Sequence, residues 1–346
     1  MAPPASDAHS PIRGPAWRRR SARIIAAVTV ASAAIGTAFA LRTQPSLATA
    51  ADGAVTGALC GFAGTCIEIL LQGQAAGPLR RLPVVAVLLL RTVLYGAIFL
   101  GASAAAPVLL GTPENHGQRT VSLVFAIVVG LAINFVFVLR ALLGGRTLLA
   151  LLTGRYHRPQ REDRIVFLLD LRDSTRLAER LGDLAFHGFL NRVFYDISEP
   201  LLAAGGEIYR YVGDEIIVTW PARRGGHAAR CVACLFAVVD TLARRRDAYL
   251  RDYHVEPQFR GALHAGPLIV GEMGDVKREI VMLGDTMNTA ARIEEACRAS
   301  GHDFIASAAV IAAVGTLPPG IVAKSLGPLP LRGKETSLEL FALSRP

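Results

Sequence analysis

Two aspartates and an amide–guanidinium pair are the residues of this sequence best placed to do chemistry. Asp170 closes the apolar run Ile165-Val166-Phe167-Leu168-Leu169, and Asp214 follows Gly213 in a bend between two alternating segments, 207–212 and 215–220. With those strands as neighbours, both carboxylates project from one edge of a sheet, where like charges are costly unless a cation lies between them. Mg²⁺ suits this place, because it takes one or two carboxylates and completes its shell with substrate phosphates. Two such ions stabilise the attacking and leaving oxygens of an in-line phosphoryl displacement. Asn288 and Arg292 are spaced by one helical turn, so a helix stacks them on one face, as a ribose-phosphate contact requires. After Asp170 the chain runs through Arg172-Asp173-Ser174-Thr175 into a helical pattern, whose first backbone N–H groups suit a polyphosphate. Taken singly, Asp170 reads as a helix cap and Asp214 as a turn residue. The two aspartates together with the Asn-x-x-x-Arg helix disfavour both bland readings.

The elements that must hold these residues begin near Arg164. A central strand leads to Asp170 and a helix is expected over about 174–200. A hairpin turns at Gly213-Asp214, and a second helix is expected over about 226–250. Strands are expected near 258–265, 268–273 and 278–283, ahead of the helix that carries Asn288. The order β-α-β-β-α-β indicates an α+β, ferredoxin-like core.

Upstream, the composition changes. The chain is 346 residues long and 52% hydrophobic, but residues 21–144 hold most of that excess. Four stretches, about 22–41, 53–73, 82–110 and 121–143, reach the roughly 20 apolar residues needed to cross a bilayer. The first is too long for a signal-peptide core, and Arg42 with Thr43 follows it in place of a cleavage site. Arginines crowd the N-terminal tail (1–21), the second connection (Arg80, Arg81) and the exit from the fourth stretch (Arg140, Arg146, Arg155, Arg158), whereas the other connections supply only Arg42 and Arg119. The expected topology is a four-helix transmembrane domain over 22–143 in the plasma (inner) membrane, with the N-terminus and the domain at 164–346 on the cytoplasmic side. The net charge of +9 is therefore read as topology, with no nucleic-acid partner.

Glu68 and Arg91 fall inside spans at similar shallow depths, where they either pair or reach to the interface separately. Asn134 is a candidate for a hydrogen bond between helices, and Pro107 for a kink or a helix end. No histidine lies within a span, which counts against a bis-histidine haem module. Any ligand or partner of the membrane domain is unspecified by these residues. A connector at 144–163 reads equally as a tether or as a signal-transmitting element, with a short amphipathic helix near 146–152. The five cysteines form no framework, and Cys231-x-x-Cys234 lies in an apolar helical pattern that favours burial over metal binding.

The stretches Phe167-Leu168-Leu169-Asp170-Leu171-Arg172-Asp173-Ser174-Thr175, Tyr211-Val212-Gly213-Asp214-Glu215 and Leu283-Gly284-Asp285-Thr286-Met287-Asn288-Thr289-Ala290-Ala291-Arg292 resemble class III nucleotide cyclases, as does Leu263-His264-Ala265-Gly266-Pro267. The resemblance covers about 162–345. It implies conversion of a nucleoside triphosphate, ATP by prevalence, to a 3′,5′-cyclic nucleotide and pyrophosphate. It further implies that Asp170 and Asp214, helped by the Leu171 carbonyl, hold two Mg²⁺ or Mn²⁺ ions. Asn288 would orient the ribose and Arg292 would stabilise charge on the α-phosphate. The carboxylates and the Asn–Arg pair come from different subunits in this family, so a homodimer is implied. Lys334, in Arg332-Gly333-Lys334, is a candidate for the terminal phosphates, against the reading of a solvated basic loop.

Two departures from the family pattern stand out. The positions that read the base are Arg210 and Val281 here, neither the Lys with Asp or Thr of adenylate cyclases nor the Glu with Cys of guanylate cyclases. Asp173 replaces a customary glycine. The competing expectations are a guanylate cyclase and a catalytically weak nucleotide-binding membrane receptor. A diguanylate cyclase fits less well, because Val212-Gly213-Asp214-Glu215-Ile216 lacks the first glycine and the aromatic residue of that family's hairpin.

Overall fold

The computed structural model describes residues 15–43, 45–71, 82–111, 116–222, 226–330 and 337–345. The chain forms two compact units, Ala5–Leu149 and Ala150–Pro346.

The first unit is helical: α1 (Pro15–Thr43), α2 (Leu47–Leu71), α3 (Val84–Leu110) and α4 (His116–Leu143). Ala22–Thr43, Leu47–Ile69 and Val85–Leu110 are long and apolar enough to cross a membrane, with mean hydropathies of 2.1, 1.3 and 2.1. In α4 the apolar segment Leu123–Val136 is shorter, so of the four expected crossings three meet that length among the described residues. Glycine lets α1 and α2 approach closely. A Cβ at Gly36 would lie 2.1 Å from the Gly53 carbonyl oxygen, and one at Gly57 would lie 2.2 Å from that of Ser32.

Glu68 and Arg91 pair at 3.3 Å, and the Tyr95 hydroxyl donates to Glu68 at 3.1 Å. The interhelical hydrogen bond expected of Asn134 is not made: the residue is fully buried, and neither side-chain polar atom has a partner among the described residues. Pro107 stays inside α3, which ends a turn later at Gly111 in the left-handed conformation. The arginines expected at Arg80 and Arg81 lie outside the described residues.

The boundary between the units falls within α5 (Gly145–Thr153), where the amphipathic stretch lies, and the second unit continues into β1 (Gln160–Leu171), which starts within the segment read as connector. Every residue of β1 from Arg164 to Leu171 is buried, because helices cover both sides. Ile165, Phe167 and Leu169 join Phe189, Trp220, Leu235 and Tyr249 in one core, whereas Val166 and Leu168 join Ala290, Ile293 and Cys297 in another. Alternation along the strand places Asp170 on the second face.

The helix expected over 174–200 is two helices, α6 (Ser174–Leu181) and α7 (Asp183–Ala203), broken at Gly182 with φ 76°. After the hairpin β2 (Glu207–Val212) and β3 (Glu215–Pro221), the second helix is likewise a pair, α8 (His227–Arg244) and α9 (Arg246–Tyr253). The two strands expected over 258–273 form one, β4 (Phe259–Met273), paired with β1 along its length from Gln160↔Val270 to Leu171↔Phe259. Then follow β5 (Glu279–Leu283), α10 (Asp285–Ser300), β6 (Phe304–Ser307), α11 (Ala308–Val314), β7 (Val322–Leu329) and β8 (Leu338–Ser344). The sheet order is β2-β3-β1-β4-β6-β8-β7, with β5 on β4, and β1 is antiparallel to both β3 and β4. Cys231 and Cys234 are buried in α8, and burial pushes the Cys234 thiol up to about 12.

Candidate active site

β1 and β3 pair so that Asp170 stands opposite Glu215, which places Asp214 at the hairpin tip beside it. Gly213 takes φ 61°, which makes that tight turn available without a Cβ clash. Asp170 is only 6% exposed. Burial, then the charges of Asp214 and Glu294, push its carboxyl up to about 6 against the opposing pull of Arg298. Glu215 is pushed up to about 7, first by burial and then by Glu294, Asp170 and Asp214. Four carboxylates thus crowd the end of β1.

One cation meets them. Arg298 Nη2 donates to Asp170 Oδ2 at 2.8 Å, and its Nε donates to Glu294 Oε1 at 3.1 Å. Sequence reasoning missed both Glu294 and Arg298; their i, i+4 spacing on α10 was the available signal. A cleft of about 370 Å³ opens beside them, lined by Asp170, Leu171, Asp173, Ser174, Thr175, Arg176, Glu179, Arg260 and Arg298. It collects the expected metal residues of β1 and the expected phosphate loop. Asp173, standing where the family has glycine, adopts φ 55° and ψ 29°, the left-handed conformation that glycine would take and that Asp tolerates. The Asp173 carbonyl accepts the first α6 bond, from Leu177 N at 2.9 Å.

This oxygen-rich, under-neutralised corner fits a hard divalent cation. Among the described residues no three His, Cys, Asp or Glu side chains form a complete cage, so the remaining positions would fall to substrate oxygens and to water.

Asn288 and Arg292 do not join this corner. α10 buries Thr286, Thr289, Ala290, Ile293 and Cys297 against the sheet. The Glu294–Arg298 pair flanks that stripe on one side. At about 100° per residue, Asn288 and Arg292 lie about 120° further around the helix. Neither has a hydrogen-bond or ion-pair partner among the described residues.

Arg210 on β2 and Val281 on β5 lie in neighbouring surroundings, but Arg210 is already engaged. Its guanidinium pairs with Glu279 and lies over the Tyr209 ring, while Lys277 also binds Glu279, at 2.6 Å. Tyr209 Oη accepts a hydrogen bond from Met282 N at 3.1 Å, which ties β2 to β5. Glu279 was not singled out from the sequence, yet it shares a strand face with Val281, two residues on. Lys334 lies outside the described residues.

No family model matches the chain. It is 37% identical over 223 residues to "Adenylate cyclase 2" of Rhizobium meliloti (strain 1021), covering 64% of this chain and 61% of that protein. It is 27% identical over 184 residues to "Adenylate cyclase 1" of the same organism, covering 52% of this chain and 27% of that one. The chain thus spans less than two thirds of the length of these relatives. Among solved structures, a bacterial light-regulated adenylyl cyclase superposes with a TM-score of 0.54 at 19% identity, covering 68% of this chain and 67% of its own. By sequence this chain is thus similar to proteins named adenylate cyclase, and by fold it is similar to a solved adenylyl cyclase.

Proposed function

We propose that the protein is a membrane-anchored adenylate cyclase that converts ATP to 3′,5′-cyclic AMP and pyrophosphate at sites shared between two copies of the chain. The carrying observation is the separation on α10: the carboxylate corner is assembled by one chain, while Asn288 and Arg292 lie on another part of the helix without partners among the described residues. A second copy facing the first would bring its Asn288 and Arg292 to the open cleft. The strand order β4-β1-β3-β2 supports reading the core as ferredoxin-like. The apolar helices support insertion in the plasma (inner) membrane, with four crossings if α4 is counted, and the arginine distribution supports a cytoplasmic N-terminus and catalytic domain.

In this reading Asp170, Asp214 and the Leu171 carbonyl would hold two Mg²⁺ or Mn²⁺ ions, which would supply Lewis-acid stabilisation of phosphate and alkoxide charge. Backbone N–H groups of Ser174 and Thr175 at the start of α6 bind the polyphosphate. From the other subunit, Asn288 fixes the ribose so that O3′ faces phosphorus, and Arg292 neutralises charge developing on the α-phosphate oxygens. Base preference follows from Arg210 and from backbone groups beside Val281, because the valine side chain offers no hydrogen bond. ATP is favoured by the names of the sequence relatives.

Purified full chain supplied with Mn²⁺ and either ATP or GTP tests this directly. The expected result is cyclic AMP from ATP, abolished by Asp214→Asn. Cyclic GMP as the main product would make the protein a guanylate cyclase, and nucleotide binding without any cyclic product would make it a receptor.

A further inference from the structure

Of the two polar i, i+4 pairs on α10 that contain an arginine, only Asn288–Arg292 has a task in the proposed reaction. The other, Glu294–Arg298, is spent on the carboxylate corner itself. Arg298 donates to the Asp170 oxygen Oδ2 at 2.8 Å, and that carboxylate side chain is 8% exposed. The guanidinium's own side chain is 56% exposed, and its Nε stays tethered to Glu294 at 3.1 Å. The contact therefore sits at the mouth of the cleft, with its anionic partner inside and its cationic partner outside. Arg298 can swing away on the Glu294 tether without opening the core, because the residues that α10 buries are Thr286, Thr289, Ala290, Ile293 and Cys297.

We propose that Arg298 is a built-in counter-ion for Asp170, a latch that a divalent cation must displace before the site can load. The inference rests on the reading of Asp170 as a metal ligand. A guanidinium and a divalent ion cannot both hold Oδ2, since each is a cation that needs the same lone pairs and they repel at that distance. The crowding of Asp214, Glu215 and Glu294 around Asp170 explains why a resident cation is useful: without one, buried like charges face each other. Arg298 thus holds the empty corner together and raises the metal concentration at which the corner fills. Once displaced it remains at a cleft shared with Ser174, Thr175, Arg176 and Arg260, so it moves within the site.

The test is Mn²⁺ binding to the full chain in detergent, without nucleotide, read from the electron paramagnetic resonance signal of free Mn²⁺. Arg298→Gln is expected to bind Mn²⁺ about fivefold more tightly, a modest factor because the latch is half exposed. Arg298→Lys, which keeps the charge and the fold but loses the planar fork, is expected to fall between. Asp170→Asn is expected to lose most of the binding. Unchanged or weaker binding by Arg298→Gln, with Asp170→Asn still defective, overturns the latch and leaves the metal site standing. Wild-type affinity in Asp170→Asn overturns both.

Discussion

The carboxylate corner at the end of β1 and the Arg210–Val281 corner on β2 and β5 both carry charge, but in opposite surroundings. At the first, Asp170 is 6% exposed, and burial, followed by the neighbouring carboxylates, raises its proton affinity and that of Glu215. Each charge there is weakly screened, so the site is held in tension until a cation relieves it. At the second, the Arg210, Glu279 and Lys277 side chains are 45%, 37% and 84% exposed, and they form a chain of pairs in reach of solvent. Exposed pairs contribute little and exchange partners cheaply. The difference teaches that the buried carboxylate corner has few chemical solutions, whereas the exposed corner leaves its arginine free to pair with a neighbouring glutamate.

The contrast breaks most visibly through the buried corner. Asp170→Asn is expected to lower cyclic AMP formation by about 10³-fold, the scale of losing a preorganised electrostatic contact to the transition state. A loss below tenfold in a steady-state assay would show that the corner is not where the reaction occurs.

At the exposed corner the effects shrink. Arg210→Ala is expected to raise the KM for ATP by up to about tenfold with kcat nearly kept, since it removes ground-state binding. Val281→Ala should shift the ATP-to-GTP ratio of kcat/KM by less than about threefold, because no hydrogen bond is lost. A base switch caused by either change would show that this corner is as tightly determined as the other.

The smallest effect is one of stability. In the unfolded chain Glu215 ionises near its ordinary value, but in the folded protein it keeps its proton until about 7. Its folded value is raised, so its stabilising contribution is present at low pH and is lost as pH climbs from about 4.5 to about 7. Glu215→Gln in chelated protein should therefore gain Tm over wild type across that window, by a few degrees near neutrality. A Tm difference that does not grow with pH would mean the corner is not under electrostatic tension.

Local chemistry made much of this visible beforehand. The Gly213-Asp214 hairpin follows from turn residues between alternating segments, and the Asn288–Arg292 face follows from helical spacing alone. The Arg298–Asp170 contact joins residues far apart in sequence, and spacing on α10 tells which residues share a face without telling what that face docks on. Separate strands are expected over 258–265 and 268–273, but pairing of Asp163 with Pro267 and of Arg164 with Gly266 carries β4 straight through. One helix is expected over 174–200, yet the positive φ of Gly182 divides α6 from α7. In the helical unit, matched depth left Glu68 and Arg91 either paired or apart, and the packing of the helices pairs them. The unpartnered burial of Asn134 was not legible, because it depends on which side chains the adjoining helices turn inward.

The central claim is that one chain supplies the carboxylates and another supplies Asn288 and Arg292. Co-expression of Asp214→Asn chains with Arg292→Ala chains, each inactive by itself, measures it directly. Random pairing makes half the dimers mixed, each with one intact site of two, so recovery to about a quarter of wild-type cyclic AMP formation is expected. Mixed dimers verified by dual affinity tags that form no cyclic AMP would contradict the shared site.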